Sequence, residues 1–187
     1  MSELIRSFVA FDIADGKILK HINDAQAKLV ETGADLKLVE PKNIHATLRF
    51  LGEISPIMVS KVYEEIKKVS FKPFDFELRG LGVFPNLKRV DVVWIGIVKG
   101  VDELTAIFNQ LEPEIRKLGF APERRGFSPH LTIARVKSGR NKTELTQQIM
   151  NMKDYEFGVV RADSLKLKKS VLTPQGPIYS TIYEGKV

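Results

Sequence analysis

The chain is written twice. Shifted by 85 residues, His45 falls on His130 and Phe8 on Val93, so a strand-like stretch at 8–13 overlies 93–98. The helical pattern at 16–31 overlies 102–118, and Ser55 falls on Arg140, just where the next helical pattern begins. Trp94 and Tyr179 each follow their own histidine by 49 residues. Self-similarity of this kind has to be settled before a fold is named, because it fixes how elements are grouped. It restricts this chain to two related units that bury their apolar faces in the same way.

Hydrophobic periodicity supplies the units. Residues 6–13 are rich in strand formers. Ile18, Ile22, Ala25 and Leu29 recur at helical steps, with His21 beside them on the surface. Strand patterns follow at 36–39 and 44–51. Ser55-Pro56 reads as a helix cap followed by proline at the first helical position, and Met58, Val62, Ile66 and Val69 line that helix. Strands are predicted at 73–84 and 90–98, with Gly80, Gly82 and Pro85-Asn86 as breakers. In the second copy Leu104, Ile107, Leu111, Ile115 and Leu118 mark a helix and 129–136 a strand. Asn141 with Glu144 forms a capping pattern for a helix through Leu145, Ile149 and Met152. Strands at 155–160, 164–172 and 178–184 complete the pattern. The predicted fold is α+β: two mainly antiparallel sheets facing a central cleft about a pseudo-twofold axis, with helices on the outer faces, in one bilobal domain spanning 1–187.

At matched positions stand Asn43-Ile44-His45-Ala46-Thr47-Leu48 and Ser128-Pro129-His130-Leu131-Thr132-Ile133. Both reduce to His-x-Thr among apolar residues. Two of three histidines with threonine at the second place on is a chance of order 1% at ordinary threonine usage. On a strand the histidine and threonine share a face, while Ala46 or Leu131 points to the core. Two imidazoles opposed across a cleft supply a base and an acid in one step. The hydroxyls can donate to an oxygen whose negative charge grows in the transition state. That arrangement suits in-line displacement at phosphorus.

Composition closes other routes. There is no cysteine, so thiolate metal sites, iron–sulfur clusters and cysteine nucleophiles are excluded. Two histidines without a His-x-His or Glu-x-x-His pattern leave too few ligands for zinc. No Gly-x-Ser-x-Gly elbow or phosphate-binding glycine loop occurs, and no cofactor is expected. No apolar run approaches membrane-spanning length and no export leader is visible, so the expected location is the cytoplasm. Within 116–142 eight basic residues stand against one acid, Glu123, which favours a phosphate-bearing partner.

Extended to Arg49-Phe50-Leu51-Gly52 and to Phe127 and Ala134-Arg135, the two motifs resemble the paired signatures of the 2H phosphoesterase superfamily. They most resemble its bacterial and archaeal RNA 2′,3′-cyclic phosphodiesterases, also called 2′–5′ RNA ligases. The opening Arg6-Ser7-Phe8-Val9-Ala10-Phe11 resembles that family's first strand, and Ala46 departs from its commoner larger aliphatic residue. The resemblance implies metal-independent opening of a terminal cyclic phosphate to a 2′-phosphomonoester, and ATP-independent 2′–5′ joining. It implies His45 as proton donor and His130 as proton acceptor, with Thr47 and Thr132 beside them, and RNA bearing a cyclic phosphate or 2′–5′ linkage as partner; nothing in the sequence demands more than a monomer.

Arg135, which matches an arginine the family uses near the phosphate, and Phe50 occupy equivalent places five residues past each histidine. Arg135 is expected to pair with the phosphate and Phe50 to offer a surface to a base. Strand parity opposes both, since an odd offset points away from the histidine face unless a bulge or strand end intervenes. The burial preference of phenylalanine favours the core for Phe50. Arg124 and Arg125 precede the second motif in a loop suited to following an RNA backbone, and Lys166, Lys168 and Lys169 lie on a late strand. Small cyclic-phosphate nucleotides, 2′–5′ oligonucleotides or an ADP-ribose cyclic phosphate would suit the same site. A non-catalytic RNA-binding module is the reading from another class; it would need neither histidine.

Overall fold

Each half of the chain forms the predicted elements, and the halves then trade strands. The computed structural model describes residues 3–123 and 126–186. In order, the elements are β1 (Ile5–Asp12), α1 (Gly16–Glu31), β2 (Leu36–Leu38), β3 (His45–Ile54), α2 (Pro56–Lys68), β4 (Phe74–Asn86), β5 (Arg89–Lys99), α3 (Val101–Lys117), β6 (His130–Val136), α4 (Lys142–Asn151), β7 (Glu156–Ala162), β8 (Ser164–Thr173) and β9 (Gly176–Lys186). They build two antiparallel sheets, ordered β3-β1-β8-β9 and β2-β6-β5-β4-β7. The histidine strands β3 and β6 come together between the sheets.

The first sheet therefore draws β1 and β3 from the first copy but β8 and β9 from the second. In return β4 crosses to pair with β5 and β7. The two lobes are thus not the two halves of the sequence. Contiguous lobes were the simplest reading of the repeat, and sequence alone carries no mark of which sheet a strand will join.

One apolar core runs beneath both sheets. Val9 and Phe11 of β1 and Val93, Ile95 and Ile97 of β5 alternate into it. Ile18, Ile22, Ala25 and Leu29 of α1 and Leu104, Ile107, Leu111 and Ile115 of α3 meet them at the predicted spacing. The opposite faces of β1 and β3 are left for the cleft. Among the described residues no helix is long and apolar enough to cross a membrane.

Two local expectations need correction. Ser55 caps α2 as predicted, its side chain accepting from the Met58 amide at 3.2 Å. Asn141 holds the N-cap position of α4 but makes no capping bond. Its backbone is left-handed, and its amide donates instead to the Thr32 carbonyl, 2.9 Å away at the end of α1. The predicted breakers Gly80, Gly82 and Pro85 lie inside β4. Gly80 is a bulge whose amide bonds the Tyr155 carbonyl, and the strand resumes beyond it.

Candidate active site

The two histidine strands share one irregularity. In the β1–β3 ladder Ala10 faces Thr47 and Val9 faces Arg49, so Leu48 is unpaired. In the β5–β6 ladder Trp94 faces Thr132 and Val93 faces Ala134, leaving Ile133 unpaired. Each strand thus carries a bulge three residues after its histidine, and the extra residue reverses the alternation beyond it. From His45 and from His130 the burial runs identically: half-buried, buried, half-buried, buried, buried, exposed. Phe50 and Arg135 consequently join the face of the histidines and threonines, while Arg49 and Ala134 turn inward. Phe50 is 58% exposed, which overturns its expected place in the core. Equal spacing in the repeat had been informative, and the bulge is the reason parity had not.

Both imidazoles are tethered in the same way. His45 Nδ1 lies 2.6 Å from the Asn43 carbonyl and His130 Nδ1 lies 2.7 Å from that of Ser128. A carbonyl only accepts, so each Nδ1–H donates, and each Nε2 is left to exchange protons. The rings are walled by aromatics. His45 packs against Phe8 and Tyr179, at centroid distances of 4.7 and 5.2 Å. His130 packs against Phe84 and Trp94, at 4.9 and 6.0 Å. Strand exchange governs these walls: Tyr179 of β9 stands beside the histidine of the first copy, and Phe84 of β4 beside that of the second.

Gly82 gives Trp94 its place. A Cβ there would stand 2.2 Å from the indole ring. Gly82→Ala is expected to push the chain's single tryptophan away from His130, lowering kcat/KM about tenfold or more. The indole emission reports the displacement directly. Unchanged emission together with unchanged turnover would contradict this account.

Charge gathers on the His45 side. Lys168, 6% exposed, and Lys166 both bond the Asp12 carboxylate, Lys166 at 3.0 Å. Burial pushes the Asp12 carboxyl up, but the two ammonium groups outweigh it and hold it below the ordinary carboxylate value. His45 is pushed down to about 4, first by burial and then by the Lys168 charge, against the opposing effects of its backbone bond and Asp12. Burial raises the Tyr179 hydroxyl, with Arg135 and Arg6 pulling it back. Arg135 therefore acts electrostatically on the wall of the opposite histidine.

The low His45 value has a stability consequence. Between the ordinary histidine range near 6.5 and about 4, the unfolded chain binds a proton there that the folded chain refuses. Stability from this site is complete above 6.5 and falls as the pH falls. Comparing parent with His45→Gln in denaturant melts between pH 7 and 4 should reveal an extra acid loss in the parent of about 3 kcal/mol. Parallel pH dependences would refute it.

Two supporting residues gave no motif signal. Gln26, buried on α1, donates to the carbonyls of Val39 and of the bulge residue Ile133, at 2.8 and 2.9 Å. It anchors the irregularity that turns Arg135 outward. Arg49 ion-pairs with Glu112 of α3 at 2.7 Å and with Glu123 at 3.6 Å, and donates to the Ala121 carbonyl. It ties the first histidine strand to the segment leading to His130. Polar side chains inside apolar patterns, at Gln26 and Glu112, were the available hints. His21 is half-buried with Nδ1 on the Phe157 carbonyl, so it is an anchor between α1 and β7 as well as a surface residue. Lys169 is exposed. Arg124 and Arg125 lie outside the described residues. Among the described residues no three His, Asp or Glu side chains gather into a metal-holding group.

Comparison with known proteins identifies the family. The model of the LigT like Phosphoesterase family matches the chain twice, over residues 13–94 and 95–179. An Aeropyrum pernix protein named RNA 2′,3′-cyclic phosphodiesterase is 44% identical over 84% of this chain and 90% of its own length. A Methanocaldococcus jannaschii protein of the same name is 38% identical over 96% of this chain and 99% of its own. The crystal structure of E. coli LigT without ligand superposes with a TM-score of 0.80 at 22% identity, covering 99% of this chain and 98% of the other. Two matches in tandem, laid over two tethered histidines, make the chain a member of the LigT-like phosphoesterase family.

Proposed function

We propose that this protein opens the 2′,3′-cyclic phosphate at the end of an RNA strand to a 2′-phosphomonoester, needing neither a metal nor a nucleotide cofactor. The observation that carries the reading is the matched pair of imidazoles, each fixed through Nδ1 and each with a threonine on its own strand face. The relatives' shared name supplies the substrate class.

In the reaction His130 Nε2 takes a proton from the attacking water as the new P–O bond forms. His45 Nε2 gives a proton to the ribose 3′-oxygen as the P–O3′ bond breaks. Thr47 and Thr132 donate to the non-bridging oxygens, whose charge grows on the way. Arg135 pairs with the phosphate, and Phe50 offers an apolar face to a base. An acid role requires a protonated His45, and the approaching phosphate anion supplies the opposite charge that raises its pKa from about 4. A ribose 5′-hydroxyl in place of water would give a 2′–5′ bond by the same displacement, which is the basis for ligation.

The test is turnover of a short RNA ending in a 2′,3′-cyclic phosphate, in the presence of chelator, with 2′- and 3′-phosphate products resolved. The expected product is the 2′-phosphate at a rate the chelator leaves unchanged. A 3′-phosphate product, or no turnover, would defeat the reading. In the same assay Arg135→Ala should lose about tenfold or more, as expected for a charge-assisted phosphate contact. Activity within about twofold of the parent would remove Arg135 from the site.

A further inference from the structure

We infer that the RNA strand behind the cyclic phosphate leaves the cleft over the far end of β6, into a basic groove between the β4–β5 turn and the first turn of α4. The inference rests on the cyclic-phosphate reading of the cleft and adds to it where the rest of the strand lies. Beyond the Ile133 bulge the exposed cations are Arg135 of β6 and Lys137, which directly follows the strand's last residue, Val136. They continue the face that carries His130 and Thr132. Lys37 of β2 stands opposite Arg135 in the ladder and is also exposed. Where β6 ends, a groove of about 370 Å³ opens, lined by Lys88, Arg89, Lys137 and Lys142 over a floor that includes Val90 and Leu145.

Of the four cations that line this groove, Arg89 alone is held by a carboxylate among the described residues. Some exposed lysines on the helices are paired locally, Lys20 with Asp24, Lys67 with Glu64, Lys68 with Glu65 and Lys117 with Glu114, whereas Lys17 and Lys61 make no such pair among the described residues. Asp91, the acid in the groove, is held by Arg89 at 3.1 Å. Among the described residues no carboxylate lies within ion-pair distance of Lys37, Lys88, Lys137 or Lys142. Lys142 instead donates to the Lys88 carbonyl, which draws the first turn of α4 toward the β4–β5 turn. The positive end of the α4 dipole adds to the same potential. A row of cations that starts at the reacting phosphate, and in which Asp91 occupies Arg89 and leaves the lysines free of ion pairs among the described residues, fits a polyanion whose end is in the cleft. From His130 to Lys137 the strand covers about 20 Å, enough for several nucleotides.

The experiment compares the parent with K88Q/K137Q/K142Q on two substrates: a mononucleotide 2′,3′-cyclic phosphate, and a single-stranded RNA of about ten nucleotides ending in the same group. The triple variant is expected to keep mononucleotide turnover within about twofold while losing about tenfold in kcat/KM on the RNA. The log–log salt slope of RNA affinity should fall by about 2, and K88R/K137R/K142R should retain the parent slope. Equal behaviour of parent and triple variant on the RNA overturns the groove and leaves the cleft reading intact. An equal loss on both substrates also overturns it, because the lysines would then act through the site or the fold. If the parent turns over neither substrate, the cleft reading fails, and the salt slope still decides for or against the groove.

Discussion

His45→Ala lowers turnover of cyclic-phosphate RNA by about 10³-fold, and replacing the leaving ribose 3′-oxygen by sulfur restores most of the loss. His130→Ala falls by a similar factor and regains nothing with the sulfur substrate. The expectation follows from what each imidazole is asked to do. A thiolate departs without being protonated, so the group that protonates the leaving atom becomes dispensable. The group that deprotonates water does not. Because the two sites are built alike, with the same tether, the same bulge and a threonine in the same place, single-alanine losses alone would not separate them. Rescue confined to His130→Ala would reverse the assignment of acid and base. Equal rescue, or none in either variant, would show that proton transfer to the leaving atom is not where the histidines act. The low pKa of His45 sharpens the point: near neutrality the empty site holds a neutral imidazole, and the proton it delivers arrives with the anion.

Much of this site was legible in the residues because a duplicated motif is its own control. His45 and His130 agreed in spacing, partner and flanking apolar residues, and the structure gives them the same backbone tether. Helices were read from periodicity, which survives in any tertiary setting that buries one face. Less was legible where one residue changes the count. The bulges at Leu48 and Ile133 reverse the facing of everything beyond them, and an aliphatic residue at either place is what a regular strand would also carry. Strand exchange was hidden for a related reason, since β4 and β8 are both amphipathic and either sheet accepts such a strand. The cap at Asn141 is absent because its backbone is left-handed where a capping residue is extended, and its side-chain NH2 is held on the distant Thr32 carbonyl; no local pattern records either.

Arg49→Met is expected to destabilise the protein by about 3 kcal/mol, the cost of leaving one member of a buried ion pair alone. The arginine side chain is 8% exposed and Glu112 is 13% exposed, so water recovers little of the lost interaction. For a chain of this size that corresponds to a fall in Tm of about 6–12 °C. Adding Glu112→Gln should recover most of it, because removing both charges removes the desolvation penalty with the attraction. Turnover at a temperature where both variants are folded separates the second consequence. The segment held through Ala121 and Glu123 leads directly to His130, so the single variant should lose kcat even when it is fully folded. A single variant that melts within about 1 °C of the parent would mean that the pair contributes no stability.

The exchange of β4 for β8 and β9 also sets the order in which the molecule can become competent. During synthesis the first copy emerges with its histidine, its helices and β1, yet β1 lacks one neighbour until β8 has been made. Phe8 is made early, but the other aromatic wall of His45 and the buried ammonium beside it come from residues 179 and 168, near the end of the chain. A half-made or cleaved product is therefore a sheet with an open edge, able to accept the missing strands from a second copy of itself. Because both halves lie in one chain, completing that edge is a folding step that does not depend on concentration.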